Sequence, residues 1–158
     1  MENLSNEELI KALDDKVTVI RNSAVMELGK RKVKSAVSKI IYLLENDDSP
    51  LVRDNAAYAL GEIGDQDAIP HLIKALKDHD PWVRKSAVKA LGMLKATIAF
   101  EAVAQLVNDS SQNVRKAVAR TLSQIDPIKA ESYLKKLTED PSIIVKRQAQ
   151  EALKRIKG

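Results

Sequence analysis

The chain contains no cysteine. That excludes a disulfide framework, thiolate metal sites and cysteine nucleophiles. Glycine and proline number five each, too few for a turn-rich β fold. Aromatic residues are 3% of the chain, so a core has to be built from Ala, Leu, Val and Ile. No apolar run approaches the roughly 18 residues of a membrane span. The start, Met1-Glu2-Asn3-Leu4-Ser5, lacks the basic-then-apolar pattern of a signal peptide. The expected location is the cytoplasm. There is no Gly-rich phosphate loop, no G-x-S-x-G elbow and no Ser/His constellation. The two histidines, His71 and His79, are expected on a first helix and in a turn, without the convergence a metal needs. No cofactor and no metal are expected.

What is present is globular. Hydrophobic residues make up 44% of the 158 and charged residues 30%. Ala, Lys and Leu are the commonest residues, which favours helix. One domain over residues 1–158 is expected. The formal net charge of +4 permits an acidic partner without demanding one.

The chain repeats itself. The pair Ile20-Arg21 recurs as Val52-Arg53, Val83-Arg84, Val114-Arg115 and Val145-Lys146. Six residues before each basic residue stands Asp15, Asp47, Asp78, Asp109 or Asp140. Seven residues after it stands Leu28, Leu60, Leu91, Leu122 or Leu153. Three after it comes Ala24, Ala56, Ala87, Val118 or Ala149. The positions twelve and nine before it are apolar throughout, from Leu9/Ala12 to Leu134/Leu137. Each unit reads as two helices joined by a short turn. Ser49-Pro50, Asp80-Pro81 and Asp140-Pro141 are expected to start second helices, and Asp126-Pro127 a first helix. Gly29, Gly61 and Gly92 are expected to end second helices. One hairpin cannot bury its apolar face alone, so the units should stack. The predicted boundaries are approximately 5–30, 31–64, 65–95, 96–125 and 126–158.

The Asp–x5–Arg spacing, the Ala and Leu columns and Pro70 inside a first helix resemble HEAT repeats. The period of 31 and the segment from Val52 to Asp65 are similar to the short HEAT-like subclass of the phycobilin lyase type. The resemblance covers essentially residues 5–157. It implies an all-α superhelix of five hairpins, with first helices on the convex side and second helices on the concave side. It also implies that Asp15/Arg21, Asp47/Arg53, Asp78/Arg84 and Asp109/Arg115 are structural, the Asp holding the turn and the Arg forming a ladder between units. Lys146 departs from that pattern, and its rung should be weaker. Deoxyhypusine hydroxylases of this fold bind iron through repeated His-Glu pairs. Here Leu72 follows His71 and Asp80 follows His79.

On a second helix, the columns at −2, +1, +2 and +5 from the basic residue are then expected to face the groove. Unlike the buried columns, they vary from unit to unit. The N-terminal half offers Val19, Met26, Leu51, Tyr58 and Trp82. The C-terminal half offers Lys85, Lys89, Lys116, Arg120 and Arg147. Trp, Tyr and Arg are frequent anchors of protein interfaces. The expected function is a non-catalytic scaffold that binds a partner protein or peptide, including an acidic one, on the concave face. The alternative is nucleic-acid binding through the basic half. A lyase-like or other enzyme subunit is a third reading.

Overall fold

The computed structural model describes residues Met1–Gly158, and every regular element in it is helical. The ten α-helices are α1 (Asn6–Ala12), α2 (Thr18–Lys30), α3 (Val37–Asn46), α4 (Pro50–Ile63), α5 (Ile69–Ala75), α6 (Pro81–Met93), α7 (Phe100–Ala104), α8 (Gln112–Ile125), α9 (Pro127–Leu137) and α10 (Ile143–Lys157). They pair as five successive hairpins, and the hairpins stack. Single 3-10 turns at Lys34–Ala36, Gln66–Ala68 and Thr97–Ala99 lead into α3, α5 and α7.

The helix starts follow side-chain capping. Ser5 and Glu8 form a reciprocal capping box on α1. Ser49, Asp80 and Ser111 accept the N–H of Val52, Trp82 and Val114. Asp126 accepts from Ile128 and Lys129 at α9. Asp140-Pro141 does not start α10: the N-cap is Ser142, and Pro141 sits two residues ahead of the register of Pro50 and Pro81. Pro70 lies in the first turn of α5 rather than in its interior, where its missing N–H costs no helical bond.

The repeated columns form one core cluster of 46 buried residues. Leu28, Leu60, Leu91 and Leu122 are fully enclosed, as are Ala24, Ala56, Ala87, Val118 and Ala149. Leu153, in the fifth unit, is only partly covered. The second helices α2, α4, α6, α8 and α10 pack on one another more intimately than the first helices do. Theirs is therefore the inner layer of the curved stack.

Gly29, Gly61 and Gly92 explain that closeness, and they do not end helices. All three lie inside α2, α4 and α6. A Cβ at Gly61 would stand 2.8 Å from the Ala90 Cα of the next second helix, and one at Gly29 2.7 Å from the Ala59 Cβ. The turns that end these helices come later. Gly64 adopts φ 80°, and Lys32 and Lys95 take the same left-handed conformation at φ 56° and 49°. There the N–H of Val33 reaches Leu28 O and that of Ala96 reaches Leu91 O, the six-to-one bond of a Schellman turn.

Candidate partner-binding groove

The Asp and Arg columns hold adjacent units together. The spacing pairs each Asp with the Arg six residues later, but the carboxylate of that Asp belongs to the preceding unit's Arg. Arg21 Nε donates to Asp47 at 2.8 Å, Arg53 to Asp78 at 2.9 Å, Arg84 to Asp109 at 2.9 Å and Arg115 to Asp140 at 2.8 Å. A second nitrogen completes each fork, as in Arg84 Nη2 to Asp109 at 3.0 Å. To its own unit each Arg gives an N–H to the backbone carbonyl of Asp15, Asp47, Asp78 or Asp109, and Arg21 also reaches Lys16 O and the Thr18 hydroxyl, Arg84 also His79 O. The four rungs thus run between units, and Asp140 is the acceptor of the last. Lys146, at the corresponding place on α10, makes no ion pair with any residue of 1–158. Burial alone would raise Asp47 and Asp140. The guanidinium of Arg21 or Arg115 and the N–H of Ser49 or Ser142 outweigh it and hold both carboxyls below their ordinary value.

The ladder frames the inner face. Val19 and Met26 project from α2, and Leu51 and Tyr58 from α4. Trp82, Lys85 and Lys89 project from α6, Lys116 and Arg120 from α8, and Arg147 from α10. Trp82 is 52% exposed and Tyr58 42%. The +2 column is only partly open. Ser86 and Ala117 are buried where this column faces the preceding second helix, while Ser23, Asn55 and Gln148 keep partial exposure. Asn55 donates to Asn22 at 2.8 Å, and the Ser86 hydroxyl donates to Asp54.

Three hollows gather the exposed residues. Met26 and Tyr58 share one of about 590 Å³ with Met1, Glu27, Lys30 and Glu62. Leu51 and Trp82 share one of about 270 Å³ with Pro50, Asp54 and Asp80. Tyr58, Lys89 and Arg120 meet in a third, of about 200 Å³, with Met93, Thr121 and Gln124. Val19, Lys85, Lys116 and Arg147 border none of these three. The column reading missed Glu62, Met93 and Gln124. They stand nine residues after the basic residue, one helical turn beyond the +5 column, so extending the same face by one turn reaches them.

The electrostatics of this face are one-sided. Lys85, Lys89, Lys116, Arg120 and Arg147 make no ion pair, whereas every ladder Arg does. Lys85 lies over the Trp82 ring, 4.9 Å from its centroid. Burial, followed by repulsion from Lys85, Arg120 and Lys116, lowers the Lys89 ammonium below its ordinary value, against the pull of Asp54. Burial raises the Asp54 carboxyl, against the Ser86 hydrogen bond.

On the opposite layer, a hollow of about 460 Å³ brings His71 and His79 to one wall with Glu45 and Asp78. His71 Nδ1 lies 3.2 Å from Glu45 Oε2. No three His, Asp or Glu side chains anywhere in the chain converge on a metal position.

These features define the class: a ladder of ion pairs on a stack of helical hairpins, an α-solenoid. The HEAT-repeat pattern matches residues 6–92 and 69–154, and the chain belongs to the HEAT-repeat family. It is similar to a chain of the CpcE–CpcF complex of phycocyanin lyase from Nostoc sp. PCC7120. That match has 29% identity and a TM-score of 0.87, over 98% of this chain and 65% of that one. It is 38% identical over 71 residues to deoxyhypusine hydroxylase-B of Oryza sativa subsp. japonica, covering 44% of this chain and 24% of that protein. It is 38% identical over 58 residues to epoxyqueuosine reductase of Listeria monocytogenes, covering 37% of this chain and 15% of that protein. The matched stretches thus span a quarter or less of the curated relatives' own length. The expectation of a chain outside enzyme chemistry is corrected by these relatives, because a hydroxylase, a reductase and a lyase complex carry the same repeats. The repeated columns encode packing, so they are silent about chemistry. A metal centre finds no fitting donor set in these residues.

Proposed function

We propose that this chain is a protein-interaction module that holds a partner protein on its concave face within an enzyme or enzyme assembly. The observation that carries the reading is the run of exposed apolar and aromatic side chains on the inner layer, Met26, Leu51, Tyr58 and Trp82, continued by cations without counter-ions. Exposed large apolar groups that share hollows mark a binding surface. Similarity to one chain of a lyase complex supports a partner subunit or a protein substrate as occupant.

The test is site-specific photo-crosslinking in the source cell. A benzoyl-phenylalanine replaces Tyr58 or Trp82 on the inner face, and Tyr42 on α3 or Ile98 in the 3-10 turn before α7. The reading expects one discrete protein crosslinked from Tyr58 and Trp82 and not from Tyr42 or Ile98. The same adduct from all four positions, or from the outer pair alone, refutes it.

The five cations without counter-ions favour a second reading, nucleic-acid binding through Lys85, Lys89, Lys116, Arg120 and Arg147. Its signature is affinity for mixed DNA or RNA that falls by powers of ten as salt rises. Absence of binding at low salt removes it.

A further inference from the structure

The middle of the groove is built differently from its ends. Helices α4, α6 and α8 surround the 200 Å³ hollow with Tyr58, Met93, Lys89, Arg120, Thr121 and Gln124. Two of these are cations, two carry neutral donors, and the remaining wall is aromatic and thioether. The acidic group that acts on Lys89, Asp54, is already engaged by Ser86. On the same helices Arg84 and Arg115 are neutralised by forked carboxylates, so the sequence had the means to pair these cations and leaves them bare. Like charges gathered in a partly buried site cost free energy that a bound carboxylate would offset.

The geometry points to a carboxylate pocket in which Lys89 and Arg120 take an acidic side chain of a partner's peptide segment, while apolar residues of that segment pack on Tyr58 and Met93. The inference rests on the concave-face reading above. A peptide fits better than a nucleic acid, whose phosphates would need positive charge along the whole groove. Here Asp54 on α4 and Glu151 on α10 interrupt the basic columns, and Met26 and Leu51 make the N-terminal part apolar. Adjacent second helices stand roughly 8–10 Å apart. An extended chain rises about 3.3 Å per residue, so one unit corresponds to about three residues of ligand. The segment expected is therefore acidic at one end, with apolar residues about three and six positions away.

The probes are fluorescein-labelled nine-residue peptides of three leucines, three serines and three glutamates, made in both orders, beside glutamine versions, read by fluorescence anisotropy. One glutamate peptide should bind at least about tenfold more tightly than its glutamine version. Lys89→Met and Arg120→Gln should each erase that preference, and Lys89→Arg should keep it. Melting curves establish that the variants fold, and Arg120, being exposed, supplies a substitution that leaves the core intact. Equal affinity for glutamate and glutamine peptides overturns the pocket, as does wild-type preference in Arg120→Gln. If both peptides bind equally and Tyr58→Ala or Met26→Ala weakens both, the groove reading stands and the pocket alone falls. Failure of all four peptides at about 1 mM overturns both. A mixed DNA oligonucleotide that binds more tightly than every peptide overturns the pocket in favour of nucleic acid.

Discussion

Replacing Arg84 by Met tests whether the ladder, rather than the apolar core alone, couples the units. Arg84 and Asp109 sit in the central rung, with side chains 14% and 6% exposed. The Met substitution keeps much of the apolar stem and removes three donors: the fork to Asp109 and the N–H to Asp78 O. Asp109 then retains the Ser111 N–H, at 2.9 Å, as its remaining donor and stays nearly enclosed. Breaking a fully buried pair costs about 3–5 kcal/mol, and an exposed one about 0–1 kcal/mol. This pair lies nearer the first limit, so a loss of about 2–4 kcal/mol is expected. Asp109→Asn in the Arg84→Met background should recover part of that loss, because the stranded charge is gone while the Ser111 bond remains. Urea unfolding followed by circular dichroism measures all four corners of the cycle. Because units touch mainly their neighbours, the single variant should also broaden the transition or split it between units three and four. A loss below about 0.5 kcal/mol with no coupling in the cycle would refute the reasoning and leave the ladder a surface ornament.

The turn conformations give a gain. Lys95→Gly should raise stability by about 0.5–1 kcal/mol in thermal unfolding, because a left-handed backbone strains an L side chain; a loss would mean that the Lys95 side chain contributes more than the turn costs. Gly61→Val should lower stability by about 1–3 kcal/mol, since the added carbons meet the Ala90 backbone, which cannot yield as a flexible side chain would; an unchanged melting temperature would show that α4 and α6 can separate freely. Asp47 and Asp140 have folded-state values below their ordinary 3.8, so the folded chain binds those protons less readily than the unfolded chain does. Their stabilisation is complete above about pH 4 and is lost as pH falls through the depressed values. An Asp47→Asn/Asp140→Asn double variant should therefore lose less stability than wild type between about pH 4 and pH 2 in an acid titration of the melting temperature; equal losses would place acid sensitivity in other carboxyls.

The sequence by itself determined that the chain is a stack of helical hairpins. Period, apolar columns and caps such as Ser49 and Asp126 are local properties, set by hydrogen bonding within a turn or two of helix. They survive reading one residue at a time. Three features were decided only by stacking. Which Asp receives which Arg depends on the next unit, and the six-residue spacing within a unit does not specify it. Gly29, Gly61 and Gly92 looked like helix ends, yet their role is set by atoms of Ala59, Ala90 and Thr121 arriving from another helix. The +2 column looked open because one helix considered alone exposes it, and the preceding second helix closes it at Ser86 and Ala117. Likewise Lys89, Arg120 and Tyr58 lie on three different helices, and their meeting around one hollow is a product of how far apart those helices stand. Periodicity along a chain specifies faces; the distance and register between faces come from packing, which no single segment encodes.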